Sequence, residues 1–304
     1  MNITILGAGA LGVYFGARWQ AAGADVQYLV RSRRADQIRT NGLHLHSVQG
    51  DYTVENPKVV ENAEEIEHTD LVLLGVKGYH LDGVLPTLKR LVEKGAKVLP
   101  VLNGIEHIFT LQHELGEEHV VGGLSYIIAT LDERGHVIHT SDLHEVHFGA
   151  LHASQTQLCK QLDELCNVAN MNGRQSEHIL QDLWQKYMFI TAFSGMTTAG
   201  DFSIGTIRKE SQTLEAAKHV LREMKELANT YDIALTDEHV EAGLAKFESL
   251  PDEATSSMHQ DKRKGLKLEV EHLHGGALRL AEQAGVTLPY IHTLYALIKP
   301  YENK

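Results

Sequence analysis

Short apolar runs alternate with amphipathic stretches along the first half of the chain, and that alternation predicts strands and helices in turn. Ile3-Thr4-Ile5-Leu6 reads as a strand over 2–6, and Val13, Phe15, Trp19 and Ala22 mark a helix over 10–22 that Gly23 closes. The same reading gives strands over 25–30, 70–76, 97–102 and 119–126, a strand pair around 43–54, and helices over 82–94 and 105–115. Such alternation specifies a parallel, doubly wound sheet. Beyond it, Ala129 to His139 turns through Glu133-Arg134-Gly135, and Glu145 to Gly149 is another short strand. These two read as an antiparallel extension at one sheet edge.

From about Ser176 strand-like runs vanish. Segments 178–199, 209–231, 236–248, 256–264, 267–284 and 288–300 all carry helical patterns, broken at Gly200, Asp232, Pro251, Gly265 and Gly285. The change of pattern puts a domain boundary near 170–178.

Gly7-Ala8-Gly9-Ala10-Leu11-Gly12 stands directly between the first strand and the first helix. Gly7 suits the tight bend, Gly9 lets a pyrophosphate approach the main chain, and Gly12 allows the helix to pack closely on the strand. Helix N-terminal amides, with Ala10 and Leu11 in the first turn, then face an anion. The string alone is weak evidence, but its place between a strand and a helix makes it a dinucleotide turn. The second strand delivers Arg31 nineteen residues after Gly12, where an acid would read an unphosphorylated ribose. Arg31, Arg33 and Arg34 cluster there instead, and a guanidinium suits a 2′-phosphate. Arg33 or Arg34 taken singly reads as part of a solvated loop, whereas Arg31, at the strand end, reads as the phosphate contact. The expected cofactor is therefore NADPH. The fold class expected is α/β, with an N-terminal doubly wound Rossmann-type domain over 1–175 and an all-helical substrate and catalytic domain over 176–304.

Composition narrows the function classes. A net charge of −12 argues against a nucleic-acid surface. No apolar run approaches membrane-spanning length, and the N-terminus enters a strand with no leader pattern. The protein is expected to be cytoplasmic, with no membrane partner and with a homodimer compatible with the sequence. Cys159 and Cys166 lie seven residues apart on a helical stretch and read as reduced, structural thiols. Nineteen histidines include the close pairs His44/His46, His144/His147 and His272/His274, none with a recognisable ligand pattern, so no metal site is expected and the pairs read as surface or supporting residues.

Five further residues are candidates for chemistry. Lys77 closes the apolar run 71–76, at a strand end that faces the ligand crevice of a doubly wound sheet, although a charge there also simply marks exit into solvent. Asn103 follows the strand 97–102, and Asn103-x-x-Glu106 also fits a capping box for the next helix. Lys186 is the only charged side chain from Leu183 through Gly200, on a helix apolar on nearly every face. A buried ammonium needs a carboxylate or ligand, and desolvation lowers its pKa toward proton donation; the competing reading is a lysine that snorkels to water. Ser257 and Glu269 would lie about 120° apart on one unbroken helix, so Gly265 between them is read as a break that lets both converge. Ser257-x-x-Gln260 also fits a capping box, whereas Glu269 borders the apolar Leu266 and Leu273 and calls for a cation, with Lys186 the candidate.

In this order, the glycine turn, Arg31, Val-Lys77, Asn103-Gly104, the Leu-Trp-x-Lys186 helix, Ser257-Met-x-Gln-Asp261 and Glu269 resemble the ketopantoate reductase (2-dehydropantoate 2-reductase) family over essentially the full chain. The resemblance implies NADPH-dependent reduction of 2-dehydropantoate to D-pantoate in pantothenate biosynthesis. It implies Lys186 as general acid, Glu269 as its orienting partner, Asn103 as a substrate and nicotinamide ligand, and Ser257 as a contact to the substrate carboxylate. Lys77 and Arg31 then contact NADPH. One and two turns after the lysine, where the family carries substrate-binding asparagines, this chain has Ile190 and Ser194. Ser194 remains a substrate-binding candidate. Ile190 cannot hydrogen-bond, which leaves open another small 2-oxo acid or an imine as substrate, and a non-catalytic NADP(H)-binding sensor is the reading from a different class.

Overall fold

The computed structural model describes residues 1–303. It divides into two compact units, Met1–Leu102 with His107–Ile179, and Asn103–Glu106 with Leu180–Lys304. The main division therefore falls at 179/180 rather than 175/176, and four residues around Asn103 group with the helical unit.

The first unit contains β1 (Asn2–Leu6), α1 (Ala10–Ala21), β2 (Asp25–Leu29), α2 (Ser32–Asn41), β3 (Leu43–Ser47), β4 (Tyr52–Val54), β5 (Lys58–Val60) and β6 (Leu71–Leu74). It continues through α3 (Leu81–Glu93), β7 (Lys97–Pro100), α4 (Glu106–Leu115), β8 (Gly122–Leu131), β9 (Val137–Gly149), α5 (Thr156–Val168) and β10 (Asn172–Gln175). Five strands form a sheet in the order β5-β2-β1-β6-β7, all parallel, with Ile5 beside Tyr28 and Leu73. The central strand β6 is a short apolar run because both its faces are covered, with all four residues buried, whereas the edge strand β5, with no buried residue, is absent from the strands expected. The sheet is the doubly wound one expected.

The antiparallel extension is not an edge of this sheet. β8 and β9 pair with β3, β4 and β10 in a second five-stranded sheet, and β3 runs parallel to β9 with Leu45 opposite Val137. The expected strand 119–126 begins instead at Gly122, and Val120 makes only an isolated bridge to Val98 of the first sheet. Helix α1 serves both sheets. Its Tyr14 hydroxyl is 2.9 Å from His144 Nδ1 on β9, and Arg18 donates to the Gly50 carbonyl at 2.7 Å in the β3–β4 turn. Cys159 and Cys166 are free and buried on α5, as expected for structural thiols.

The second unit holds α6 (Ile179–Gly200), α7 (Ile204–Lys209), α8 (Ser211–Thr230), α9 (Asp237–Ser249), α10 (Ser257–Arg263), α11 (Gly276–Ala284) and α12 (Pro289–Ile298). The apolar α6 is largely buried, with Leu183, Trp184, Tyr187, Met188 and Met196 all covered. The buried Glu223 carboxylate on α8 accepts from Tyr290 N and Ile291 N at 2.8 and 2.9 Å, satisfying first-turn amides of α12 behind Pro289. The expected helix 267–284 starts later. Gly265 takes φ +62°, residues 266–269 are non-helical, and a π-helical turn spans Glu271–Gly275 before α11. No helix among the described residues is long and apolar enough to cross a membrane.

Candidate functional site

The glycine turn of the first unit follows from close packing. Gly7 takes φ +103°, and a Cβ there would stand 2.8 Å from the Gly75 main chain. A Cβ on Gly12 would overlap the Gly7 carbonyl oxygen and lie 2.9 Å from Ile5 Cγ2, so α1 can start against β1 only with glycine at this position. Gly9 differs. It is exposed at the N-cap of α1, and an added Cβ would meet nothing within 4 Å. The fold does not need glycine there, whereas a ligand approaching the main chain does. The first turn of α1 contains no acid, so its free amides offer an uncontested anion site. A dinucleotide pyrophosphate fits this cradle.

The arginine trio divides by role. Ser32–Asn41 is helical rather than a loop, with only Ala35 and Ile38 buried. Arg31 sits at its N-cap with an exposed side chain. Arg34 Nε donates to the Ala8 carbonyl at 2.9 Å, Nη1 to Gln37 at 2.6 Å and Nη2 to the Gly135 carbonyl at 3.0 Å. Arg34 is therefore a brace between the glycine turn and the β8–β9 turn, which corrects its reading as a solvated residue. Lys77 lies three residues past the end of β6, half-buried, at the start of a short 3-10 turn.

In the second unit, Lys186 and Glu269 are both buried, at 7% and 6% exposure. Burial pulls the Lys186 ammonium down from its ordinary value to about 8, and the Glu269 carboxylate opposes that fall. Glu269, whose charge acts on Lys186, lies in the non-helical stretch ahead of the π turn, and of its two expected apolar neighbours only Leu273 is buried. Ile190 and the buried Ser194 follow Lys186 by one and two turns of α6.

Asn103 does not cap the next helix. α4 begins at Glu106, which puts that residue at the first helical position, and its carboxylate takes a bidentate pair from Arg279, Nε at 2.8 Å and Nη2 at 2.7 Å. Arg279 also binds Glu271, which Tyr295 and Lys299 hold at 2.7 and 2.6 Å. The half-buried Asn103 hydrogen-bonds through its main chain to the ring of His272. His272 and His274 are thus not surface residues: His274 is fully buried, bonds the Thr191 carbonyl at 3.1 Å, and is pushed by burial down to about 4.

Ser257 is exposed as the first residue of α10. The cap is its neighbour, Ser256, whose hydroxyl accepts from His259 N and lies 2.9 Å from Thr197 Oγ1. His259 in turn joins Asp201 to Thr255. Sequence reasoning missed Arg279, His272 and Ser256. The first is a lone cation on an ordinary amphipathic helix, the second was hidden among many histidines, and the third stands beside Ser257, whose spacing to Gln260 is the one that fits a capping box.

Comparison with known proteins agrees with this architecture. Residues 3–153 match the family model described as ketopantoate reductase PanE/ApbA, and residues 178–302 match its C-terminal counterpart. A Bacillus subtilis (strain 168) protein, uncharacterized oxidoreductase YkpB, is 30% identical over 302 residues, covering 99% of each chain. A 2-dehydropantoate 2-reductase structure from Geobacter metallireducens superposes with a TM-score of 0.91 at 27% identity, covering 99% of each chain. D-mandelate dehydrogenase bound to NADH and anilino(oxo)acetate shares the fold, with a TM-score of 0.89 at 24% identity, over 99% of this chain and 98% of that one.

Proposed function

The chain belongs to the ketopantoate reductase family, and from that premise we propose that it reduces a small 2-oxo acid with NADPH, 2-dehydropantoate to D-pantoate being the leading reaction. The observation that carries this reading is the buried Lys186, brought to about 8 by burial with Glu269 as its acidic neighbour. Such an amine still holds its proton at neutral pH yet releases it more readily than an exposed lysine.

NADPH supplies the hydride. In the first unit, the exposed main chain at Gly9 and the first-turn amides at Ala10 and Leu11 receive the pyrophosphate, between the packing glycines Gly7 and Gly12. The exposed Arg31 guanidinium would take the 2′-phosphate, and Lys77 would add a second cation. In the second unit, Lys186 donates its proton to the carbonyl oxygen as negative charge builds there, and Glu269 keeps the ammonium oriented. Asn103 binds the substrate and the nicotinamide side, Ser257 serves the substrate carboxylate, and Ser194 is a further substrate contact.

Steady-state NADPH oxidation with 2-dehydropantoate tests the proposal. Turnover that beats every other 2-oxo acid supports it. Tight NADPH binding with no oxidation in the presence of any carbonyl acid overturns it in favour of a sensor. A second reading, favoured by Ile190, is a less polar 2-oxo acid. In that case aromatic or branched aliphatic 2-oxo acids outperform 2-dehydropantoate, and Ile190→Asn moves the preference back.

A further inference from the structure

The π-helical turn Glu271–Gly275 is tied down residue by residue. Tyr187, next to Lys186 on α6, donates its hydroxyl to the Leu273 carbonyl at 2.5 Å, and the His274 ring bonds the Thr191 carbonyl of the same helix. The third member, His272, reaches the other way. Its ring hydrogen-bonds to the Asn103 main chain and packs on Gly104, where a Cβ would stand 3.7 Å from the ring atoms Cδ2 and Nε2. Gly104 itself takes φ +91°, a conformation open to glycine and strained for other residues. Single π turns within helices recur at functional sites. Here the turn carries a ring that touches the Asn103 segment three residues after Glu269.

We propose that His272 is a positioning residue that couples the Asn103–Gly104 turn to the Glu269 carboxylate, so that the polar groups meeting the 2-oxo acid hold one geometry. The inference rests on the function proposed above. Burial lowers the ring's proton affinity; Glu269, Glu106 and the Asn103 main chain favour its protonation, and Arg279 opposes it. A proton on the ring would set it in competition with Lys186 for Glu269.

Two variants and one titration test the assignment. His272→Leu removes the donor to Asn103, and kcat/KM for the 2-oxo acid should fall about tenfold or more through a raised KM, with the KM for NADPH unchanged. His272→Gln keeps a donor but cannot take a proton, so it should recover most of the loss and remove the acid limb of the pH profile that the wild type owes to His272. A folded Leu variant within about twofold of wild type, or a Gln variant as impaired as Leu, overturns the proposal. Should the wild type reduce no 2-oxo acid, the function fails while the coupling is still decided by NMR titration of the His272 ring. Glu269→Gln must then lower its midpoint, and an unchanged midpoint refutes the coupling.

Discussion

Glu269 is the acidic neighbour that holds up the proton affinity of Lys186 inside a helical unit where both side chains are almost fully buried. The sign of its effect is therefore fixed: burial alone would drive the amine below the value of about 8 that the pair reaches.

Replacing Glu269 with Gln should lower the Lys186 pKa further. A general acid works while protonated, so activity is present below the Lys186 pKa and lost above it, and the basic limb of the kcat/KM profile should move to lower pH. Lys186→Ala should remove roughly 10²-fold or more of kcat/KM at every pH. A pH profile unmoved by Glu269→Gln, or a Lys186→Ala variant within about threefold of wild type, would refute these roles.

Arg31 and Arg34 should separate in binding and stability measurements. Arg31→Ala should weaken NADPH far more than NADH and leave the melting temperature unchanged. Arg34→Ala strips hydrogen bonds from the Ala8 and Gly135 carbonyls. It should cost about 1–3 kcal/mol of stability and weaken both nucleotides alike. Isothermal titration with each nucleotide and thermal melts of each variant check both.

Gly9 and Gly12 make a matched pair for asking what a glycine is for. Gly9→Ala adds a methyl to open space, so the folded protein should melt as the wild type does and bind NADPH more weakly. Gly12→Ala collides with the Gly7 carbonyl and Ile5, and should destabilise the protein with or without nucleotide. Nucleotide binding undiminished in Gly9→Ala would place the pyrophosphate elsewhere.

Burial raises both Cys159 and Cys166 to about 11, and Trp19 Nε1 lies 3.4 Å from Cys166 Sγ. Only the thiolate attacks disulfide reagents. Below the raised pKa both remain thiols, so the native protein should resist an aromatic disulfide at mildly alkaline pH and release two equivalents once unfolded. Fast labelling of the native state would contradict this.

The parallel sheet is legible in the sequence because strands covered on both faces must be continuous apolar runs, as Leu71–Leu74 is. The second sheet is not. β9 mixes His, Ser, Asp and Glu with its buried positions, and its parallel partner β3 lies about ninety residues earlier, with Leu45 opposite Val137. Helix α2 is obscured by its own arginines, since only two of its residues are buried. At the site, Lys186 and Glu269 stand out as charges in apolar surroundings. The Asn103 main chain, by contrast, meets the His272 ring, far along the chain, a contact that no local pattern carries.

The basic cluster after β2 assigns bracing to one arginine and leaves another exposed three positions away. On the function proposed above, coenzyme choice would rest on Arg31, an exposed side chain, rather than on the arginine that braces the glycine turn. If Arg31 reads the 2′-phosphate as proposed, a lineage could exchange it for an acid, and with it the preferred coenzyme, without passing through an unstable intermediate.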